Sequence, residues 1–147
     1  MTKTYFVRHS SDLDVDRDTL NKMWNEDYFG IHYPFDKTES SHQNDSSSLE
    51  PSMYEGSAKS SLERMHKIAE EGGYVFAAYR GRDGAKIGYV KPGSAVVLLS
   101  GQWNTRDGKP PRKALLKVIK FDRSRNLSAE QSISLKSVQP RQGTLCH

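Results

Sequence analysis

The chain has 147 residues, of which 35% are hydrophobic, with a mean hydropathy of −0.77 and a net charge of +4. That suffices for one domain with its own core, is too polar for every segment to pack tightly, and lacks the run of ~18 apolar residues that a membrane-spanning helix needs. The charge is divided: residues 1–72 carry 8 Lys+Arg against 14 Asp+Glu (net −6), and residues 73–147 carry 14 against 4 (net +10). A basic half of this kind points to a polyanionic partner; the plainer reading is that the two halves attract each other within one fold. "MTKTYFVRHSSD" has no signal-peptide pattern, and the single Cys146 permits neither an internal disulfide nor a cysteine zinc cluster, so a cytoplasmic location is expected.

"TYFVRH" (4–9) reads as an opening strand, aromatic and β-branched without a breaker. "SSDLDVDRDTLNKMW" offers N-caps before a short helix at 16–25, with Leu20, Met23 and Trp24 on one face. Its Asp12, Asp14, Asp16 and Asp18 lack the central Gly and distal Glu of a calcium loop, so capping and solvation are expected of them. "FGIHYPF" (29–35) suggests a short strand stopped by Pro34. The Ser-rich stretch 36–60 shows no periodicity and is expected to be a mobile insertion. A helix capped by Ser60 or Ser61 follows, with Leu62, Met65, Ile68 and Ala69 on its apolar face and Gly72-Gly73 at its end.

The remainder reads as β structure, with strands at 74–80, 85–91, 95–99, 114–121 and 132–138. Short strands with Asp-Gly turns suggest an α+β fold built on a small curved, SH3-like barrel of about five or six strands with two or three flanking helices. The first hairpin, "GYVFAAYRGRDGAKIGYV", turns at "GRDG" and carries Arg80, Arg82 and Lys86. A second basic loop, "NTRDGKPPRK", carries Arg106, Lys109, Arg112 and Lys113. Two such loops on one rim of a barrel can hold phosphates, with arginine giving bidentate geometry; ordinary solubility is the competing reading. Lys117, Lys120, Arg123 and Arg125 extend the basic tract.

The aromatic residues Trp24, Tyr28, Phe29, Tyr33 and Phe35, with Trp103 in the polar context "SGQWNTRDG", are the candidates for stacking an unpaired base; core packing competes, most strongly at Trp24. His9 and His32 would form an acid–base pair only if their strands are neighbours. The sequence has no H-E-x-x-H, no G-x-S-x-G and no phosphate-cradling glycine loop, and no cofactor or metal is expected.

In order of elements, "YFVRHS", the helix with "MWNED", the polar insertion and "VFAAYRGRDGAKIGYV" resemble the PUA-like superfamily, and within it the EVE and YTH modules. The resemblance implies one domain over 1–147 that takes a nucleobase, plain or modified, into an aromatic pocket. Carried over by position, Arg8, His9, Ser10, Trp24 and Asn25 would line that pocket, with Trp103, and Tyr33 from the aromatic group, as further walls. It also implies a non-catalytic reader, as in modules joined to effectors in prokaryotic defence and restriction proteins. The partner is then DNA or RNA, and not a membrane. The alternatives are a metal-independent nuclease of PUA-like or ASCH-like fold, using His9 or His32 with Lys86 or Arg80, and an SH3-like protein-interaction domain.

Overall fold

The computed structural model describes residues 3–9, 13–37, 45–80, 85–104 and 110–127, together with the backbone of 145–146. The strands form two open sheets, and among the described residues no closed barrel is found. The first sheet has the order β7-β4-β3-β1, made of β1 (Thr4–His9), β3 (Gly73–Tyr79), β4 (Ala85–Val90) and β7 (Arg123–Leu127), with the two-residue β8 (Leu145–Cys146) beside β1. The second has the order β2-β6-β5, made of β2 (Tyr28–Ile31), β5 (Val97–Gln102) and β6 (Lys113–Lys120). Two helices, α1 (Arg17–Asn25) and α2 (Gly56–Glu71), complete an α+β fold. The barrel expected from strand length and turn spacing is therefore corrected, because those local features set strand count and not closure.

β1 and β3 run parallel, so the chain must cross over between them, which it does through α1, β2 and α2. The period of two divides β3 cleanly. Val75, Ala77 and Tyr79 face a core shared by both sheets and both helices, whereas Phe76 joins Ala85 and Leu127 in a smaller cluster on the opposite face. On the inner face Gly88 leaves room for Phe121, whose ring lies 2.2 Å from where a Cβ would stand and stacks on Phe29 with centroids 5.0 Å apart.

Asp16 caps α1, its Oδ1 accepting from the Thr19 amide at 2.9 Å and the Thr19 hydroxyl at 2.6 Å. The helix α2 begins at Gly56 after Glu55, four residues before the expected serine cap, and ends at Gly72. There φ is +74° and a Cβ would meet the Val90 carbonyl at 2.6 Å, so a glycine is required. The stretch 36–60, expected to be a mobile insertion, packs against the fold over part of its described length. Asp45 and Tyr54 are buried, Pro51–Met53 form a 3-10 turn, and the Lys37 amide donates to the Met53 carbonyl. A polar composition reads as a loop, but here the polar atoms bond one another. The strand expected at 132–138 lies outside the described residues, and the basic tract at Arg123 and Arg125 forms β7, a strand not among those expected.

Candidate nucleic-acid interface

Four of the residues assigned to a base pocket, His9, Trp24, Tyr33 and Trp103, fall into two clusters. In the first, His9 is buried at the end of β1: Nδ1–H donates to the Ala78 carbonyl at 2.9 Å, and Nε2 accepts the Gly30 amide at 3.2 Å. Burial lowers its pKa to about 4; the Ala78 bond opposes this and the nearby Arg80 charge adds to it. The neutral ring stacks on Tyr79 with centroids 4.3 Å apart, and Trp24 meets Tyr79 edge-on at 5.2 Å. One face of Trp24 is covered by Lys86, whose Nζ sits 4.8 Å from the ring centroid.

Lys86 does not project into a phosphate site. Its ammonium is buried and donates to the Trp24 carbonyl and to Asp27 Oδ1, the latter at 2.6 Å. Burial would raise the Asp27 carboxyl, but hydrogen bonds from Lys86 and from Ser124 (2.8 Å) outweigh it and hold the group below its ordinary value. Arg80 likewise turns inward and donates to the Val15 carbonyl. These two positions are corrected: the hairpin is positive, but its described cations anchor the fold. Arg8 is half-buried, Asn25 is exposed at the end of α1, and Lys113 is exposed at the start of β6. Ser10, Arg82, Arg106 and Lys109 lie outside the described residues.

The second cluster holds Trp103 and Arg112 around Asp45, whose side chain is 1% exposed. Four donors converge on that carboxylate: Trp103 Nε1–H at 3.0 Å and Arg112 Nη2 at 3.2 Å on Oδ1, the Leu115 amide at 2.9 Å and His32 Nε2 at 2.7 Å on Oδ2. Burial alone would raise its pKa; the bonds from His32, Leu115 and Trp103 lower it below the ordinary carboxylate value. The other His32 nitrogen faces the Leu13 carbonyl at 2.9 Å, so both nitrogens of this ring are engaged, as are both of His9. The Arg112 guanidinium lies 4.4 Å from the Trp103 ring, filling the face a base would use. Tyr33 is joined through its carbonyl, which accepts from Lys117 at 3.0 Å; the same ammonium donates to the Ser46 carbonyl at 2.9 Å. Lys117 is 1% exposed, and burial lowers its pKa to about 8 despite the attraction of Asp45 and Asp36. Both clusters are filled by their own side chains.

A partly open surface lies elsewhere, around Tyr74 and Tyr89 on the outer face of the four-stranded sheet, beside the buried Phe76. Antiparallel register puts Tyr74 opposite Tyr89 and Tyr89 opposite Arg123, and the next row places Phe76, Ile87 and Arg125 side by side. Tyr74 is 39% exposed, Tyr89 and Ile87 are half-exposed, and Arg123 and Arg125 are exposed. Together with Gly88 and Ser124 these residues, Phe76 aside, line a hollow of about 270 Å³. The tyrosine centroids are 5.3 Å apart with ring planes 56° from parallel, and the Arg123 guanidinium lies 4.6 Å from the Tyr89 centroid. A wider hollow of about 610 Å³, lined by Lys3, Glu70, Glu71, Gly72, Gly73, Tyr89 and Pro92, adjoins it at Tyr89.

Sequence reasoning missed this face. The apolar run "GYVFAAY" signals a strand used on both sides, and the i, i+2 spacing of Arg123 and Arg125 puts both on one side. No family model matches the chain, and neither a curated protein nor a solved structure matches it.

Proposed function

We propose that this protein is a non-catalytic nucleic-acid-binding module whose contact surface is the outer face of the four-stranded sheet. The observation that carries the reading is the hollow in which an exposed and a half-exposed tyrosine lie beside two exposed arginines. Burying aromatic surface is favourable, and a ring left open on a sheet face offers a stacking partner for any base. The arginines add a charge term for each phosphate they neutralise. The resemblance to EVE and YTH modules belongs to the same proposal, with two open sheets standing where the PUA-like family has its barrel. A fused or associated effector would then supply any chemistry. The nuclease alternative is weaker, because both ring nitrogens of His9 and of His32 are held by the fold.

The test is fluorescence anisotropy of short labelled DNA and RNA with the full chain at two salt concentrations, comparing wild type with Arg123→Ala/Arg125→Ala. Binding should weaken with salt, and removing two phosphate contacts should lower the slope of log K against log salt by about 1.4 to 1.8. Absence of binding to every nucleic acid at low salt would refute the reading.

A further inference from the structure

Resting on that reading, we infer that the sheet face takes unpaired nucleic acid, with consecutive bases on Tyr89 and Tyr74. In a duplex, successive bases lie about 3.4 Å apart along the axis and offer only their edges in the grooves. The two rings are separated by 5.3 Å and inclined by 56°, so they cannot serve two bases stacked on each other. They match a strand whose bases are splayed, each meeting its own ring. A duplex also presents no base face to a sheet, and the described lining of this hollow comes from the strands β3, β4 and β7.

Charge sets the path. Arg123 and Arg125 stand on β7, at one side of the tyrosine pair, while the hollow that adjoins at Tyr89 holds Glu70 and Glu71 against one cation, Lys3, paired to Glu71 at 3.7 Å. A phosphate chain is drawn to the β7 edge and repelled from the end of α2. It therefore crosses the sheet from β7 towards β3, meeting Tyr89 first and Tyr74 next. Arg123 already lies against Tyr89, but it is exposed where Arg112 is held on Trp103 by the buried Asp45, so an arriving base takes that ring face and the guanidinium moves to the adjacent phosphate. Among the described residues no carboxylate or amide side chain lines this hollow to read a base edge, so recognition is tolerant of sequence.

The platform is fixed from beneath. The Ser124 hydroxyl donates to Asp27, which also holds Lys86, so β7 and β4 are joined across their inner faces as well as by their ladder. The Asp122 amide donates to the Tyr89 carbonyl at 2.8 Å, which ties the turn before β7 to the strand carrying that ring.

The experiment compares three labelled probes against the full chain: a single-stranded ten-nucleotide oligomer, the same sequence as a duplex, and an abasic oligomer of equal phosphate number. Tyr74→Ala and Tyr89→Ala are measured beside Tyr74→Phe and Tyr89→Phe, each checked for folding by circular dichroism and melting. The expected result is preference for the single strand over both other probes, with about 5- to 150-fold weaker binding for each alanine change and little change for phenylalanine. Single-strand binding unaltered in folded alanine variants, or duplex or abasic binding equal to it, would overturn this inference and leave the broader nucleic-acid reading standing. Failure of all three probes to bind at low salt would overturn both.

Discussion

Asp45→Asn is the substitution on which the buried polar arrangement of this fold can be tested most directly. The native carboxylate accepts from four donors at 2.7 to 3.2 Å while its side chain is almost wholly removed from water. Asparagine keeps one accepting oxygen, which can serve two of these donors. Its amide nitrogen must then point at the other two, as donor against donor, and the attraction for the Arg112 guanidinium is lost. Two orphaned buried donors cost ~1–3 kcal/mol each, so a loss of about 3–5 kcal/mol is expected, the range for breaking a buried pair from one side. Against a total stability of ~5–15 kcal/mol, that is a large fraction.

Equilibrium denaturation in urea at neutral pH, followed by tryptophan emission, measures it. Trp103 donates its indole N–H to the lost acceptor, so the folded-state emission should change as well. Because the folded Asp45 carboxyl is held below its ordinary value, its contribution is present above the unfolded pKa of about 4 and is lost as pH falls through the lower folded value. The gap between wild type and variant should narrow in that acid range. A loss under about 1 kcal/mol with an unchanged denaturant slope would refute the reasoning, since it would mean that the four donors find other partners.

Three further outcomes are expected. His9→Gln removes a group whose pKa is lowered to about 4 in the fold. Unfolded histidine takes up a proton near pH 6.5, so wild type should lose about 3 kcal/mol relative to the variant between pH 7 and 4, as read from denaturation at each pH. Gly88→Ala drives a methyl group into the Phe121 ring and should cost ~1–3 kcal/mol by overpacking, with part recovered in Gly88→Ala/Phe121→Leu by thermal melting. Lys86→Met should lower stability by ~1–3 kcal/mol, less than a fully buried pair because Asp27 keeps access to water; in the anisotropy assay it should leave the salt dependence of binding unchanged.

What could be read in the sequence was what local chemistry decides. The opening strand at 4–9, the helix ending at Trp24-Asn25 and the hairpin strands on either side of "GRDG" fall within a residue or two of expectation, because periodicity and caps act over a few residues. What depends on partners far along the chain was not legible. Nothing near Lys117 announces that Tyr33 and Ser46 will receive its ammonium, nor does the serine-rich text around Asp45 announce four donors. The site was hidden for the same reason. Tyr74, Tyr89 and Arg123 become one row only when β3, β4 and β7 pair, and the third of those strands had been read as charge alone.

The division of charge between the two halves now has a partly internal explanation. In both the Lys86–Asp27 and Arg112–Asp45 pairs the cation comes from residues 73–147 and the acid from residues 1–72. Lys117 and Arg80 of the basic half likewise donate to carbonyls of Tyr33, Ser46 and Val15 in the acidic half. These contacts draw the halves together and account for much of the tract that looked available to phosphate. The arginines of β7 stand apart from them, since Arg123 and Arg125 point to the outer face and to solvent. Two populations of cation should therefore separate in experiment. Neutralising an inward one moves the unfolding midpoint and leaves the salt slope of binding alone, whereas neutralising an outward one does the reverse. The positive hairpin belongs mainly to the first population: Arg80 and Lys86 fasten it to the fold, and what its strand β4 offers to a ligand is the ring of Tyr89.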